Sequence, residues 1–341
     1  MGASVRVLFV AMHWDYGIES RGPSFEHQNF YDVLSRMEGV EAREFDFMTA
    51  FQHGGTDQVA RDLRAAVEDF TPDLAFFFLF EEELPAEVLA ELRDRSDVIT
   101  YNWFADDHWR FDRFTTRYAP LFNAVSTTDR GSVEKYRAIG IEPIKTQWAA
   151  NPRLYPPNGG ALRHEVTFVG QAYGERPSFV RHLEKAGVPV EAWGPGWPNG
   201  RLEFEDMVAT FSGSRINLNL TASSNDPSVP RLVRGVLNRT YPPALRWVGR
   251  GSDQIKGRTF EIPACGGFQL TSAVDDLESY FVPGEEVVVF SSKAEMVDQA
   301  RRYLADEPAR AAIAEAGHRR VLAEHTYEHR FRAILDALGF G

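Results

Sequence analysis

The chain is almost without cysteine. A single residue, Cys265, in 341 excludes an internal disulfide and a cysteine-rich metal centre. Long hydrophobic runs are missing too. The longest, Leu74 to Phe80, is seven residues, whereas crossing a bilayer takes roughly 20. Positive charge is scarce: 37 basic residues face 49 acidic ones, a net charge of -12. That balance argues against a broad nucleic-acid surface. The N-terminus enters Val5-Arg6-Val7-Leu8-Phe9-Val10 with no basic region and no small-residue cleavage site. The expectation is a cytoplasmic protein with no signal peptide and no transmembrane segment.

What is present is the mix of a soluble globular protein, 43% apolar and 25% charged, with length enough for two domains. In the first half, apolar runs at 5–12, 42–47, 74–80, 98–104, 122–126 and 144–148 read as strands. Helical patterns at 25–37, 57–70, 86–95, 109–118 and 131–139 separate them. Short strands of this kind, rich in Phe and Val, predict a parallel sheet covered on both faces. Residues 151–160, dense in Pro, Asn and Gly, read as a linker. The alternation then restarts, with strands at 166–169, 190–193, 216–220, 268–271 and 287–290. Helices are expected at 177–186, 204–211, 259–264, 296–304 and 308–324, and 327–338 is amphipathic. The predicted architecture is α/β: two Rossmann-like, doubly wound domains, 1–155 and 156–325, facing a central cleft. A last helix, 326–341, packs back toward the first domain. Ligands of such sheets bind beyond the strand C-termini.

Three features of the second half suit a phosphorylated ligand. Phe168-Val169-Gly170-Gln171-Ala172-Tyr173-Gly174-Glu175-Arg176-Pro177 reads as strand, glycine turn and helix start. Gly170 permits close backbone approach, Arg176 adds charge, and the helix start offers N–H groups; an ordinary tight turn would look the same. From Ser228 to Arg258, Arg231, Arg234, Arg239, Arg246, Arg250, Lys256 and Arg258 are accompanied by one acid, Asp253. The cluster suits phosphate, or is a solvated loop. Glu261 lies about a turn before Gly266-Gly267, where a carboxylate can accept both hydroxyls of a ribose, or merely complement the helix start. Nothing near Cys265 lowers a thiol pKa, so it reads as a core residue.

The run Arg258-Thr259-Phe260-Glu261-Ile262-Pro263-Ala264-Cys265-Gly266-Gly267 resembles the signature of CgeB-like (spore-maturation type) glycosyltransferases. Phe281-Val282-Pro283-Gly284-Glu285-Glu286-Val287, Ile313-Ala314-Glu315-Ala316-Gly317 and Glu324-His325-Thr326-Tyr327 fit the same pattern. The likeness runs from about Asn217 to the C-terminus. Upstream, Trp103-Phe104-Ala105-Asp106-Asp107 with Arg110-Phe111-Asp112 resembles the domain that accompanies this group. The resemblance implies a GT-B fold with a group 1-like C-terminal domain, the donor held by the second domain and the acceptor by the first. It gives Glu261 the donor ribose and Lys256 and Arg258 the diphosphate, with Gly266 and Gly267 allowing close approach. Many retaining relatives carry a sugar-facing acid eight positions before the ribose residue; here that place holds Asp253 rather than Glu, which leaves inverting and retaining courses open. The resemblance implies no bound metal and no resident cofactor. The nucleotide sugar, UDP- or GDP-linked, is a co-substrate, and the acceptor is a small molecule, glycan or protein.

In the first domain, His13 follows the first strand, where a neutral imidazole can take an acceptor hydroxyl proton. Asp106 or Asp107, after the fourth strand, would orient it, as in inverting GT-B enzymes with a His and Asp pair. Helix capping is the alternative for the two acids. A metal at Asp106-Asp107-His108 is disfavoured, since no distant ligand stands out. Trp14, Tyr16 and Trp103, with Trp109, are candidate acceptor contacts through ring stacking, or packing residues. His318, His325 and His329 read as structural. The expected activity is hexosyl-type transfer from a nucleotide-diphosphate sugar. A nucleotide-sugar epimerase or hydrolase and a catalytically silent GT-B binding protein are the alternatives.

Overall fold

A computed structural model describes residues 4–221 and 254–341. The chain forms two compact units: Met1–Gln147 with Tyr327–Gly341, and Trp148–Thr326.

The first unit is built on six parallel strands: β1 (Val5–Ala11), β2 (Val40–Asp46), β3 (Leu74–Phe77), β4 (Ile99–Phe104), β5 (Ala124–Thr127) and β6 (Ile144–Lys145). Their order is β2-β1-β3-β4-β5-β6. Residues Val7–Ala11 and Leu74–Phe77 are fully buried because helices cover both faces, which is why these strands read as continuous apolar runs. β2 lies at the edge, and its charged residues alternate with apolar ones instead. The chain leaves β1 toward β2 and returns past it to β3. The C-terminal end of β1 is therefore the switch point of the sheet, where flanking connections diverge and leave a crevice.

Helix Phe47–Phe70 begins where the Asp46 carboxylate accepts from the Met48 and Thr49 N–H groups at 3.0 and 3.2 Å. It bends at Gly54-Gly55, where Gly55 has φ +65°, and buries Val59, Leu63, Val67 and Phe70 on one face. The bend explains why periodicity alone exposes only its second half. The terminal helix, Tyr327–Ala337, presents Tyr327, Phe331, Ile334 and Leu335 to the interior of this unit. Phe331 lies 5.2 Å from Phe30, 5.8 Å from Phe76 and 6.5 Å from Trp103, ring centroid to centroid. Burying each such ring contributes about 1.5–3 kcal/mol.

The second unit has five parallel strands: β7 (His164–Val169), β8 (Glu191–Trp193), β9 (Ser214–Asn219), β10 (Gln269–Ser272) and β11 (Val288–Phe290). Their order, β11-β10-β9-β7-β8, puts the switch point between β7 and β9. Helix Arg258–Ala264 precedes β10 and ends at Gly266, whose φ of +71° suits the left-handed residue after a helix. The Gly267 N–H then donates to the Ile262 carbonyl at 3.0 Å and closes the helix. Both strand sets answer to the expected α/β, doubly wound architecture.

Candidate functional site

In the second unit, three side chains gather at the strand C-termini near the switch point. Arg176 opens helix Arg176–Lys185. Its Nη2 donates to the Leu220 carbonyl at 3.0 Å and its Nη1 to the Gln171 carbonyl at 3.3 Å, so one guanidinium joins the loops after β7 and β9. It is buried under Tyr173, 4.1 Å from the ring centroid. Burial, with the charge of Arg258 nearby, lowers its proton affinity; it remains a cation, as arginine does. Asn219, the last residue of β9, donates to the Thr259 hydroxyl at 3.1 Å and fixes the start of the next helix beside it. Arg258 is thereby held with Nη2 3.5 Å from the Met207 sulfur and Nη1 4.0 Å from the Glu261 carboxylate.

Glu261 is 3% exposed. Burial raises its pKa, offset by the Arg258 charge and by a hydrogen bond from Tyr155. Its Oε2 has no hydrogen-bond partner. A buried acceptor left without one costs about 1–3 kcal/mol, so the arrangement needs a reason. A carboxylate with one oxygen held and the other accepting no hydrogen bond, 4.0 Å from the Arg258 guanidinium, is equipped to accept hydroxyl donors beside an anion. Lys256 directs its ammonium to the Gln254 side chain at 3.2 Å. Asp253 and Arg231, Arg234, Arg239, Arg246 and Arg250 lie outside the described residues.

The glycines expected to admit a ligand serve the protein itself. A Cβ on Gly267 would stand 2.6 Å from the Phe211 carbonyl and 2.7 Å from the Asn217 amide nitrogen. Gly267 therefore lets helix Phe204–Gly213 and β9 close on the turn, and the close approach expected of it is to those groups. Gly266 supplies the left-handed turn. At Gly170 a Cβ would meet the Phe168 ring at 2.9 Å, while its carbonyl accepts from the Trp197 indole at 2.8 Å. Cys265 is buried and burial pushes its thiol pKa up, so it is a core residue.

In the first unit, His13 stands just past β1, at the switch point. The expected partnership with Asp106 or Asp107 is not what forms there. The His13 Nδ1 meets the Glu44 carboxylate at 2.7 Å, and His27 Nδ1 meets the same carboxylate at 2.8 and 3.0 Å. β1 and β2 pair with Phe9 opposite Glu44, so the edge strand delivers the acid to the end of β1. Asp107 instead turns into the core, 1% exposed, and accepts from the Thr115 and Tyr136 hydroxyls at 2.6 and 2.8 Å. Burial raises its pKa to about 6 despite those donors. Asp106 starts the short helix Asp107–Arg110: its carbonyl accepts from Trp109 and Arg110, and its side chain does not cap.

The aromatic residues divide. Trp103 is 1% exposed and packs 4.9 Å from Phe30, so it belongs to the core and cannot touch an acceptor. Trp14 is half-buried, its ring edge-on to His13 at 4.4 Å. Tyr16 is 55% exposed and holds a left-handed backbone, φ +54°. That conformation is costly for a bulky residue and tends to survive at functional loops. The loop is clamped from behind: Gln52 donates to the Gly17 carbonyl at 2.9 Å. His318 and His325 meet the Pro263 and Tyr280 carbonyls at 3.1 and 2.7 Å, roles internal to the second unit. Sequence reading missed Glu44, His27 and Tyr155. The first two were legible only as an acid on an alternating edge strand and a histidine in a helical stretch.

Residues 176–336 match the family model described as "Glycosyl transferase-like". Among curated proteins, none matches the sequence. Solved structures match along almost the whole chain. Sucrose-phosphate synthase from Thermosynechococcus elongatus is 12% identical, with a TM-score of 0.61, over 98% of this chain and 100% of that one. A glycosyltransferase from Rickettsia africae is 10% identical, TM-score 0.59, over 98% and 97%. HepE of Anabaena, in complex with UDP, is 9% identical, TM-score 0.58, over 98% and 100%. At these identities the likeness is one of fold, and the fold is GT-B. No helix among the described residues is long and apolar enough to cross a membrane.

Proposed function

We propose that the protein is a glycosyltransferase that moves a sugar from a UDP- or GDP-linked donor to an acceptor hydroxyl. The observation that carries this reading is Glu261, a buried carboxylate with an oxygen that accepts no hydrogen bond, set beside Arg258, whose charge is in turn felt by Arg176. Ribose hydroxyls would donate to Glu261. The two guanidinium groups and Lys256 would meet the diphosphate and the charge that grows on it as the glycosidic bond breaks. These side chains supply the cationic charge that the departing diphosphate needs, so the transfer is read as metal-independent. Asp253 is the proposed contact to the donor sugar. The motif residues 258–267 support the CgeB-like assignment, and the HepE complex with UDP supports the donor class.

On the acceptor side, His13 is the proposed base. Glu44 holds its Nδ1, so Nε2 is the nitrogen that would receive the hydroxyl proton, the division of labour of a carboxylate-oriented imidazole. Trp14 and Tyr16 are the proposed acceptor contacts. The test is product formation from a panel of UDP- and GDP-sugars, with and without acceptor. Transfer that needs the acceptor supports the reading. Donor consumption without acceptor would make the protein an epimerase or hydrolase, and nucleotide binding without turnover a silent relative. His13→Ala should retain donor binding and lose transfer; near-normal turnover would remove His13 from the mechanism.

A further inference from the structure

His27, beside the end of β1, is not used by that chemistry. Two imidazoles converge on one carboxylate, and they come from three separate elements: His13 after β1, His27 from the helical turn His27–Tyr31, and Glu44 from β2. One ligand atom from each lies within 4.8 Å of the other two, the only such trio of His, Cys, Asp or Glu among the described residues. The rings of His13 and His27 are 4.1 Å apart at their centroids.

We propose that His13, His27 and Glu44 bind a zinc-class divalent ion. Two imidazoles and a carboxylate with a remaining position open to water form the donor set that such ions favour. The Nδ1–carboxylate separations are 2.7 and 2.8 Å. Ligand distances of about 2.0–2.1 Å place neighbouring donors of a tetrahedral site about 3.3 Å apart. Each imidazole needs to move from the carboxylate by only about half an ångström to admit the ion. Glu44 sits on the edge strand, His27 on a helical turn and His13 two residues beyond β1, and both imidazoles already meet the carboxylate, so the site is largely assembled before an ion arrives. Side-chain exposures of 29%, 23% and 11% leave a route from solvent.

The assignment has a consequence for transfer, which rests on the reading of His13 as base. A neutral imidazole carries one proton. An ion on Nδ1 takes that lone pair and leaves the proton on Nε2, the nitrogen that would accept the substrate proton. The loaded protein would therefore be inhibited.

Calorimetric titration of the untagged, full-length protein with Zn2+, repeated with Co2+ and followed by its visible spectrum, tests the site. One ion per chain is expected, with a tetrahedral Co2+ spectrum. His27→Ala and Glu44→Gln should weaken it about 100-fold, as loss of a direct ligand does, while His164→Ala leaves it unchanged. Circular dichroism identifies any variant that fails to fold, and His27→Gln then replaces it. Absence of stoichiometric binding, or binding equally tight in the folded His27 and Glu44 variants, overturns the proposal. Binding is read without a sugar donor, so it stands or falls separately from the glycosyltransferase reading. If transfer is found, Zn2+ should suppress it in the wild type and spare a His27→Gln variant; equal suppression in both would overturn the site.

Discussion

Replacing Glu261 by Gln separates a ligand-binding carboxylate from a structural one. The change keeps shape and one carbonyl oxygen and removes the charge. In the folded chain the carboxylate is buried, one oxygen accepts no hydrogen bond and lies 4.0 Å from Arg258, and its pKa is raised by burial. A carboxyl whose folded pKa lies above its unfolded value costs stability once pH exceeds the folded value. Glu261→Gln should therefore leave the apo protein at least as stable as the wild type near neutral pH. Binding should move the other way. Hydrogen bonds to a charged acceptor contribute about 1.5–3 kcal/mol and neutral ones about 0.5–1.5. With two ribose hydroxyls, the loss is about 1–3 kcal/mol, or roughly 10- to 100-fold in Kd. The assay is calorimetric titration of both proteins with UDP and GDP and with their 2′,3′-dideoxy counterparts, alongside thermal melts. The difference between wild type and variant should vanish for the dideoxy ligands. An equal loss for ribo and dideoxy ligands, or a lower Tm with unchanged affinity, would refute the assignment.

Other outcomes follow from the same geometry. The rise of the Asp107 pKa from 3.8 to about 6 makes the folded state the better proton binder, so stability should fall by about 2 kcal/mol between pH 4 and 7 from this group. Urea melts at the two pH values should show this component in the wild type and lose it in Asp107→Asn. Gly267→Ala drives a Cβ against the Phe211 carbonyl and Asn217. It should lower Tm without discriminating between ribo and dideoxy nucleotides, and a selective loss of ribonucleotide binding would return Gly267 to the ligand site. Phe331→Ala removes a ring packed among Phe30, Phe76 and Trp103. A loss of about 3–5 kcal/mol in denaturant unfolding of the first unit is expected; less than 1 would mean the terminal helix is dispensable there.

The alternation of short apolar runs with helical stretches determined the α/β class and the doubly wound form, because a strand buried on both faces must be apolar at every position. Strands such as Leu74–Phe77 therefore announce themselves, and so does the amphipathic stripe of Tyr327, Phe331, Ile334 and Leu335. The segment 258–267 was legible for a local reason as well: Arg258 and Glu261 lie one turn apart on the same helix. Tertiary structure alone decided which acid meets His13. Asp106 and Asp107 follow a strand C-terminus as the pattern demands. Asp107 nevertheless has hydroxyl partners from two other elements to satisfy it inside, while the edge strand carries Glu44 to the imidazole. Likewise nothing in the local sequence separates Trp103, sealed in the core by the terminal helix, from Trp14 at the loop, and nothing brings His27 to Glu44. Periodicity records which face of an element is buried. Which side chains from distant elements share that space depends on strand order and register, and these are settled only when the sheet assembles.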